Sequence, residues 1–123
     1  MSNWKDARPV FFVSDVERAL GFYVGQLGFV ETNRYAEEGK VLVGGVERDG
    51  CALLLSCQWP QKNGHGRYWI KLDVLTYDSF RADLEARGVA LKDDFWGFDT
   101  MVVEDPDGNE LFFPVPKPEP TAA

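Results

Sequence analysis

The sequence is built from two similar halves, and this repeat limits the possible folds more than any other feature. In each half a strand-like segment is followed by a helix-like segment and then by three short strand-like segments. The glycines that end the two helix-like segments, Gly28 and Gly88, are 60 residues apart. Two glycines in later turns, Gly50 and Gly108, are 58 residues apart. A nearly constant period indicates an internal duplication. We therefore predict an α+β protein made of two βαβββ modules in tandem.

Each half contains one amphipathic helix with recognisable end signals. In the first half, Ser14 is followed three residues later by Glu17, which fits a capping box, and Gly28 suits the C-terminal end. In the second half, Thr76 can cap the helix and Gly88 can end it. These signals predict helices that begin immediately after Ser14 and Thr76.

Short segments rich in valine, phenylalanine and leucine, separated by glycine-containing turns, predict eight strands. They lie at residues 9–13, 29–36, 40–47 and 51–57 in the first half, and at 68–74, 89–95, 100–104 and 110–115 in the second. The prediction is one domain over residues 1–123, with module one at about 8–57, a linker at 58–67, module two at about 68–115 and a loose tail at 116–123.

Composition excludes several classes of function. The chain has 13 basic and 20 acidic residues and a formal net charge of −7, which argues against nonspecific nucleic-acid binding. No apolar run is long enough to cross a membrane, and the polar start lacks the apolar segment of a signal peptide, so we expect a cytoplasmic protein without membrane contact.

Cys51 and Cys57 would lie roughly 20 Å apart on one strand, too far for a disulfide, and are expected as free, buried thiols.

The last predicted strand presents two different faces. Side chains alternate along a strand, so Leu111 and Phe113 share one face while Glu110 and Phe112 share the other. The first face is apolar and suits a helix-covered core. The second combines an aromatic ring with a charge, which is typical of a concave site with apolar walls and a few polar groups. The same aromatics could instead fill the concavity of the sheet or a subunit interface, and both interpretations stay open at this stage.

Several motifs, in their order and spacing, resemble the vicinal oxygen chelate superfamily, which includes glyoxalases, extradiol dioxygenases and bleomycin-resistance proteins. The motifs are Ser14-Asp15-Val16, Phe22-Tyr23, Leu27-Gly28-Phe29, Trp96-Gly97 and Asp105-Pro106-Asp107-Gly108-Asn109. Within the superfamily the chain is most similar to the bleomycin-resistance proteins. The resemblance implies mixed sheets that curve around a concave groove.

The resemblance also implies four positions at which metalloenzymes of the superfamily carry metal ligands. On this chain they are Arg8, Leu54, Trp69 and Phe112. None of these side chains can ligate a divalent ion, because the arginine only donates hydrogen bonds and the others offer no lone pair. His65, the one histidine of the chain, lies in the linker. We therefore expect no metal and no other cofactor, and the protein is more readily interpreted as a binding protein than as an enzyme.

Resemblance to the bleomycin-resistance proteins predicts a homodimer with an exchanged first strand and a small aromatic or glycopeptide ligand in grooves at the dimer interface. The large aromatics Trp59, Trp96 and Phe98 fall in predicted loops, where a partner or ligand would have to cover them. The negative net charge, with Asp73 and Glu110 near the groove, favours a cationic ligand such as bleomycin. The predicted ligand-binding residues are Phe12, Leu54, Trp69, Asp73, Trp96, Phe98, Glu110 and Phe112. The alternatives are a glyoxalase- or dioxygenase-like enzyme, and a metal-free enzyme or effector sensor that uses the same groove.

Overall fold

A computed structural model describes residues 3–117 of the protein. The elements of module one are β1 (Val10–Phe12), α1 (Val16–Gly25), β2 (Val30–Glu37), β3 (Lys40–Arg48) and β4 (Cys51–Ser56). Those of module two are β5 (Arg67–Trp69), α2 (Val74–Ala86), β6 (Leu91–Phe95), β7 (Asp99–Glu104) and β8 (Glu110–Pro114). A single turn of 3₁₀ helix, Pro60–Lys62, lies in the linker between them. Residues 118–123, most of the predicted tail, lie outside the described residues.

Each module forms its own four-stranded mixed sheet. The strand order is β1-β4-β3-β2 in the first sheet and β5-β8-β7-β6 in the second. The first strand of each module pairs parallel to the last, and the other neighbours are antiparallel. Both hairpins of the first sheet turn on two residues with positive φ, Glu38-Gly39 and Asp49-Gly50, as their sequences predict. The α+β fold of two tandem βαβββ modules is thus confirmed.

The N-terminal ends of both helices differ from the prediction. Asp15, not Ser14, caps α1, because its carboxylate accepts a hydrogen bond from the backbone N–H of Arg18. Asp73, not Thr76, caps α2, and its carboxylate accepts from the N–H of Thr76 at 2.8 Å. Since α2 begins at Val74, the strand predicted at 68–74 is limited to Arg67–Trp69.

A continuous hydrophobic core joins the two modules, and both helices lie in it between the two sheets. It contains Leu20 and Tyr23 of α1 together with Phe80 and Leu84 of α2. The C-terminal ends of the helices also meet, because Arg87 Nη1 donates to the carbonyl oxygen of Gly25 at 3.3 Å. The sheet residues that face this core include Phe11, Val13, Leu53, Leu55, Ile70, Leu111 and Phe113, all predicted for the helix-covered side. The opposite face of each sheet, here called its outer face, therefore lies on the outside of the chain.

The turn between β7 and β8, residues 105–109, connects module two to module one. Tyr23 of α1 donates its hydroxyl hydrogen bond to Asp105 Oδ2 at 3.0 Å. Asn109 donates from Nδ2 to the carbonyl oxygen of Phe12 in β1 at 3.0 Å. Its Oδ1 accepts the N–H of Gly66, just before β5, at 2.8 Å. Asp107 accepts the N–H of Ser14 at 3.0 Å. This turn is therefore the main polar connection between the modules.

Burial governs the ionisation of Asp105. The side chain is withdrawn from water, and this is the largest influence that raises its pKa above the ordinary 3.8. Hydrogen bonds from the Asn109 side chain, the Asp107 N–H and the Tyr23 hydroxyl act in the opposite direction without cancelling the effect of burial. A group with a raised folded-state pKa contributes stability that is complete below its unfolded pKa and is lost as pH rises through the folded value.

We predict that Asp105→Asn lowers the free energy of unfolding by about 1–3 kcal/mol, because an amide cannot accept from all four of these donors. The asparagine does not titrate. The stability difference between wild type and variant should therefore shrink as the pH rises above about 4, the ordinary value for the unfolded chain. Urea unfolding at several pH values measures it, with Asp49→Asn in the exposed β3–β4 turn as the matched loss of one carboxylate. A difference that grows with pH would show that burial does not control Asp105.

Neither helix among residues 3–117 is both long enough and apolar enough to cross a membrane. Both cysteines are free, as predicted, but they are half-buried rather than fully buried.

Candidate functional site

The outer face of the second sheet carries a row of side chains around Phe112. Trp69 on β5 lies directly opposite Phe112 on β8, and Val102 on β7 lies opposite it on the other side. Phe112 and Val102 are only 2% and 1% exposed, although neither belongs to the core between the sheets. Something on the outer side of the sheet therefore covers them.

Trp96, in the loop between β6 and β7, covers Phe112. Its ring lies over Phe112 with the centroids 4.3 Å apart and the planes at 44°. Gly97 has φ +81°, and the N–H of Trp96 donates to the carbonyl oxygen of Phe98 at 3.0 Å, so the loop turns tightly back onto the sheet. Trp96 remains 42% exposed and Trp69 50% exposed. A ligand would thus meet the two indoles, and Phe112 lies beneath that of Trp96.

The charges on this face are already paired. Glu110 lies 3.1 Å from Lys92 Nζ and 3.5 Å from Arg67 Nε. Lys92 also donates to Glu104 at 2.7 Å, and the hydrogen bonds to Glu104 and then Glu110 raise the pKa of the ammonium group. The Arg67 guanidinium lies 5.8 Å from the centre of the Phe112 ring. The negative charge that the sequence offers at Glu110 is therefore largely compensated.

The outer face of the first sheet has a second aromatic cluster. Phe12 makes an edge contact with Trp59, with centroids 5.8 Å apart, and Lys62 Nζ lies 5.5 Å from the centre of the Phe12 ring. Leu54 is half-buried and lies opposite Val10 in the parallel pair of β1 and β4. Each outer face thus presents a phenylalanine flanked by a tryptophan and a cation.

The predicted ligand-binding residues are divided between these surfaces. Trp69, Trp96, Glu110 and Phe112 lie together on the outer face of the second sheet, and Phe12 and Leu54 lie on that of the first. Phe98 is half-buried, and its carbonyl oxygen supports the Trp96 loop. Asp73 adjoins Trp69 at a surface groove, but its carboxylate is engaged as the α2 cap. The hydrogen bond from the Thr76 N–H lowers its pKa.

The positions that correspond to metal ligands in related enzymes do not form a metal site. Trp69 and Phe112 are direct cross-strand neighbours, whereas Leu54 lies opposite Val10 rather than Arg8. Arg8 pairs with Asp6 at 2.7 Å. Over the described part of the chain, no group of three or more His, Cys, Asp or Glu side chains is placed to hold a metal ion. The side chains present therefore do not fit a divalent ion.

Sequence reasoning missed the cations around the aromatic rings. Arg67 stands two residues before Trp69 on β5, so alternation could have placed it on the same face. Lys92 gives no such signal, because its contact with Glu110 depends on the pairing of β6, β7 and β8. Lys62 lies in the linker, where no periodicity places side chains.

Comparison with known proteins agrees with this geometry. Residues 7–113 match the family model of the Glyoxalase/Bleomycin resistance protein/Dioxygenase superfamily. The chain therefore belongs to this superfamily.

Among solved structures, the chain is similar to TnmS3, an antibiotic-binding protein from Streptomyces sp. CB03234. The identity is 26%, the TM-score is 0.70, and the match covers 92% of this chain and 98% of TnmS3. The fold is also shared with the bleomycin-binding protein of Streptomyces verticillus complexed with copper(II)-bleomycin, at 24% identity, a TM-score of 0.71 and coverage of 95% and 100%.

An enzyme has the same fold. A lactoylglutathione lyase from Agrobacterium tumefaciens matches at 16% identity with a TM-score of 0.66, over 92% of this chain and 95% of that one. The fold alone therefore does not separate binding proteins from enzymes. A comparison with curated proteins gives no match.

Proposed function

We propose that this protein is a metal-free binding protein of the bleomycin-resistance type that sequesters a small aromatic molecule. The observation that carries the proposal is the pair of half-exposed indoles around the buried Phe112 ring: Trp96 lies over the ring, and Trp69 is the cross-strand neighbour of Phe112. Planar aromatic ligands stack on such rings without any need for catalytic groups. Sequestration requires only affinity and a sufficient number of copies.

The ligand grooves would lie between two copies of the chain. Large apolar side chains are exposed on both sheets and in the loops beside them, which is unusual for a monomer and favours cover by a second subunit. They include Val10, Tyr35, Trp59, Trp69, Phe95 and Trp96. In the structure β1 pairs with β4 of its own chain through Val10 and Leu54. An exchanged first strand would make the same pairs with the partner.

Two observations bear on the charge of the ligand, and they point in opposite directions. The net charge of −7 favours approach of a cation over long distances. The two carboxylates predicted to attract it, Asp73 and Glu110, are engaged with the α2 N-terminus and with Lys92 and Arg67. A cationic ligand such as bleomycin would therefore be favoured by the protein as a whole rather than by these two groups.

The proposal predicts saturable binding of bleomycin, copper-free or copper-loaded, at one ligand per subunit in a dimer. Trp69→Leu and Trp96→Leu should each weaken binding about tenfold or more, because stacking and apolar burial are lost together. Calorimetry and tryptophan fluorescence measure the affinity, and light scattering measures the dimer. Leu75→Ala, at an apolar side chain on α2 that is 86% exposed, is the control.

Three results would contradict parts of the proposal. Failure to bind bleomycin while other planar aromatics bind would remove the antibiotic but keep the groove. Binding by a monomer would remove the grooves between subunits. Tight, stoichiometric uptake of a divalent ion by metal-stripped protein would favour the alternative, a glyoxalase- or dioxygenase-like enzyme.

A further inference from the structure

A groove continues from Trp69 along the end of the second sheet. It lies between the segment that joins β5 to α2 and the chain that continues β8 beyond Pro114. Its volume is about 490 Å³, within the range of small-molecule sites, roughly 300–1,000 Å³. The half-exposed indole of Trp69 forms one wall. The other lining residues are Lys71, Leu72, Asp73, Val74 and residues 114–117.

The charged side chains that line this groove are mainly cationic. Lys71 and Lys117 are both exposed, and no carboxylate among residues 3–117 forms an ion pair with either. Asp73 is the single carboxylate of the lining, and it accepts the Thr76 N–H at 2.8 Å. This capping hydrogen bond at the start of α2 therefore fixes the position of the Asp73 carboxylate. The local charge is thus opposite in sign to that of the whole chain.

The charged side chains that line the groove, rather than distant ones, determine whether an acidic or a basic group of a ligand binds there. In salt solution the distant acidic residues are screened beyond about 8 Å, whereas two ammonium groups at the groove act directly. We propose that the groove receives an acidic group, such as a carboxylate, sulfonate or phosphate, carried by an aromatic ligand whose ring stacks on Trp69. This inference rests on the proposed binding of a small aromatic molecule. It differs from the cationic preference suggested by the net charge, because it assigns the ligand an acidic group at the point of contact.

The test uses three probes of one shape: 2-naphthoate, neutral 2-naphthamide and cationic 2-naphthylmethylamine. We expect 2-naphthoate to bind about two- to fivefold more tightly than the amide, the upper part of the range for an exposed ion pair, and the advantage to fall with salt. The double variant Lys71→Gln/Lys117→Gln should abolish the advantage and leave binding of the amide unchanged. Lys40→Gln, in the β2–β3 hairpin, is the matched control for loss of an exposed ammonium group. Calorimetry on the full chain provides the affinities.

The outcomes separate this inference from the proposed function. Equal binding of all three probes, with affinity lost in Trp69→Leu, would overturn the acidic-group inference and keep the aromatic-binding function. Tighter binding of the amine would overturn it in favour of a cationic ligand. An advantage of 2-naphthoate that survives in the double lysine variant would place the anion elsewhere and also overturn it. Failure of all three to bind would overturn the acidic-group inference, whereas the proposed function depends on the separate titration with bleomycin.

Discussion

Asn109→Ala is expected to lower the free energy of unfolding by about 2–4 kcal/mol, because three hydrogen bonds of a buried side chain are lost at once and the N–H of Gly66 loses its acceptor. Asn109 is 0% exposed. Its Nδ2 donates to Asp105 Oδ2 at 2.9 Å and to the Phe12 carbonyl at 3.0 Å, and its Oδ1 accepts from Gly66 at 2.8 Å. Alanine satisfies none of these groups. Urea unfolding followed by circular dichroism measures the loss.

Asn33→Ala is the matched control. Asn33 is exposed on β2, and its removal should change the free energy of unfolding by less than about 0.5 kcal/mol. If both variants lose less than about 1 kcal/mol, the hydrogen bonds of Asn109 do not hold the modules together.

Gly64→Ala is expected to destabilise the protein by about 3 kcal/mol or more. Gly64 has φ +79°, and a Cβ atom there would stand 2.3 Å from the backbone carbonyl oxygen of Asp107. The left-handed conformation costs alanine about 1–2 kcal/mol, and overpacking against backbone that cannot move freely adds a further 1–3 kcal/mol or so. Thermal and urea unfolding measure the effect.

Gly39→Ala separates the two causes. Gly39 has nearly the same φ, +81°, but nothing lies within 4 Å of a Cβ placed there. Its substitution should therefore cost about 1–2 kcal/mol, the conformational part alone. Equal losses in the two variants would show that Gly64 does not pack against the β7–β8 turn as closely as the structure indicates.

Asn109→Ala and Gly64→Ala both act where the linker, β1 and the β7–β8 turn meet. The sequence did not predict this junction. The glycine period predicted the two modules, because duplicated turns recur at a fixed spacing. Alternation placed Leu111 and Phe113 in the core, because a covered strand must be apolar on one side. The helix starts were wrong because Ser14 and Asp15, like Asp73 and Thr76, are both acceptable caps. Which of the two residues caps the helix depends on which one has the non-helical backbone conformation of an N-cap.

The site was predicted less completely than the fold. Alternation correctly placed Glu110 and Phe112 on the face away from the core. It could not show that Trp96 folds back onto Phe112, because the path of a loop depends on tertiary contacts. It also could not show that Lys92 reaches Glu110, since that pair forms only through the register of three strands. For these reasons Phe112 was predicted as a ligand contact, whereas in the structure it supports Trp96.

The two halves of the chain are no longer interchangeable. The hairpin that ends module one turns on two residues, Asp49 and Gly50, whereas its counterpart in module two uses residues 105–109 and binds Tyr23, Phe12 and Gly66. The longer turn of module two thus connects the two modules through hydrogen bonds to module one and to the linker. A chimera with two copies of module one would lack this turn and the hydrogen bonds that it makes between the modules.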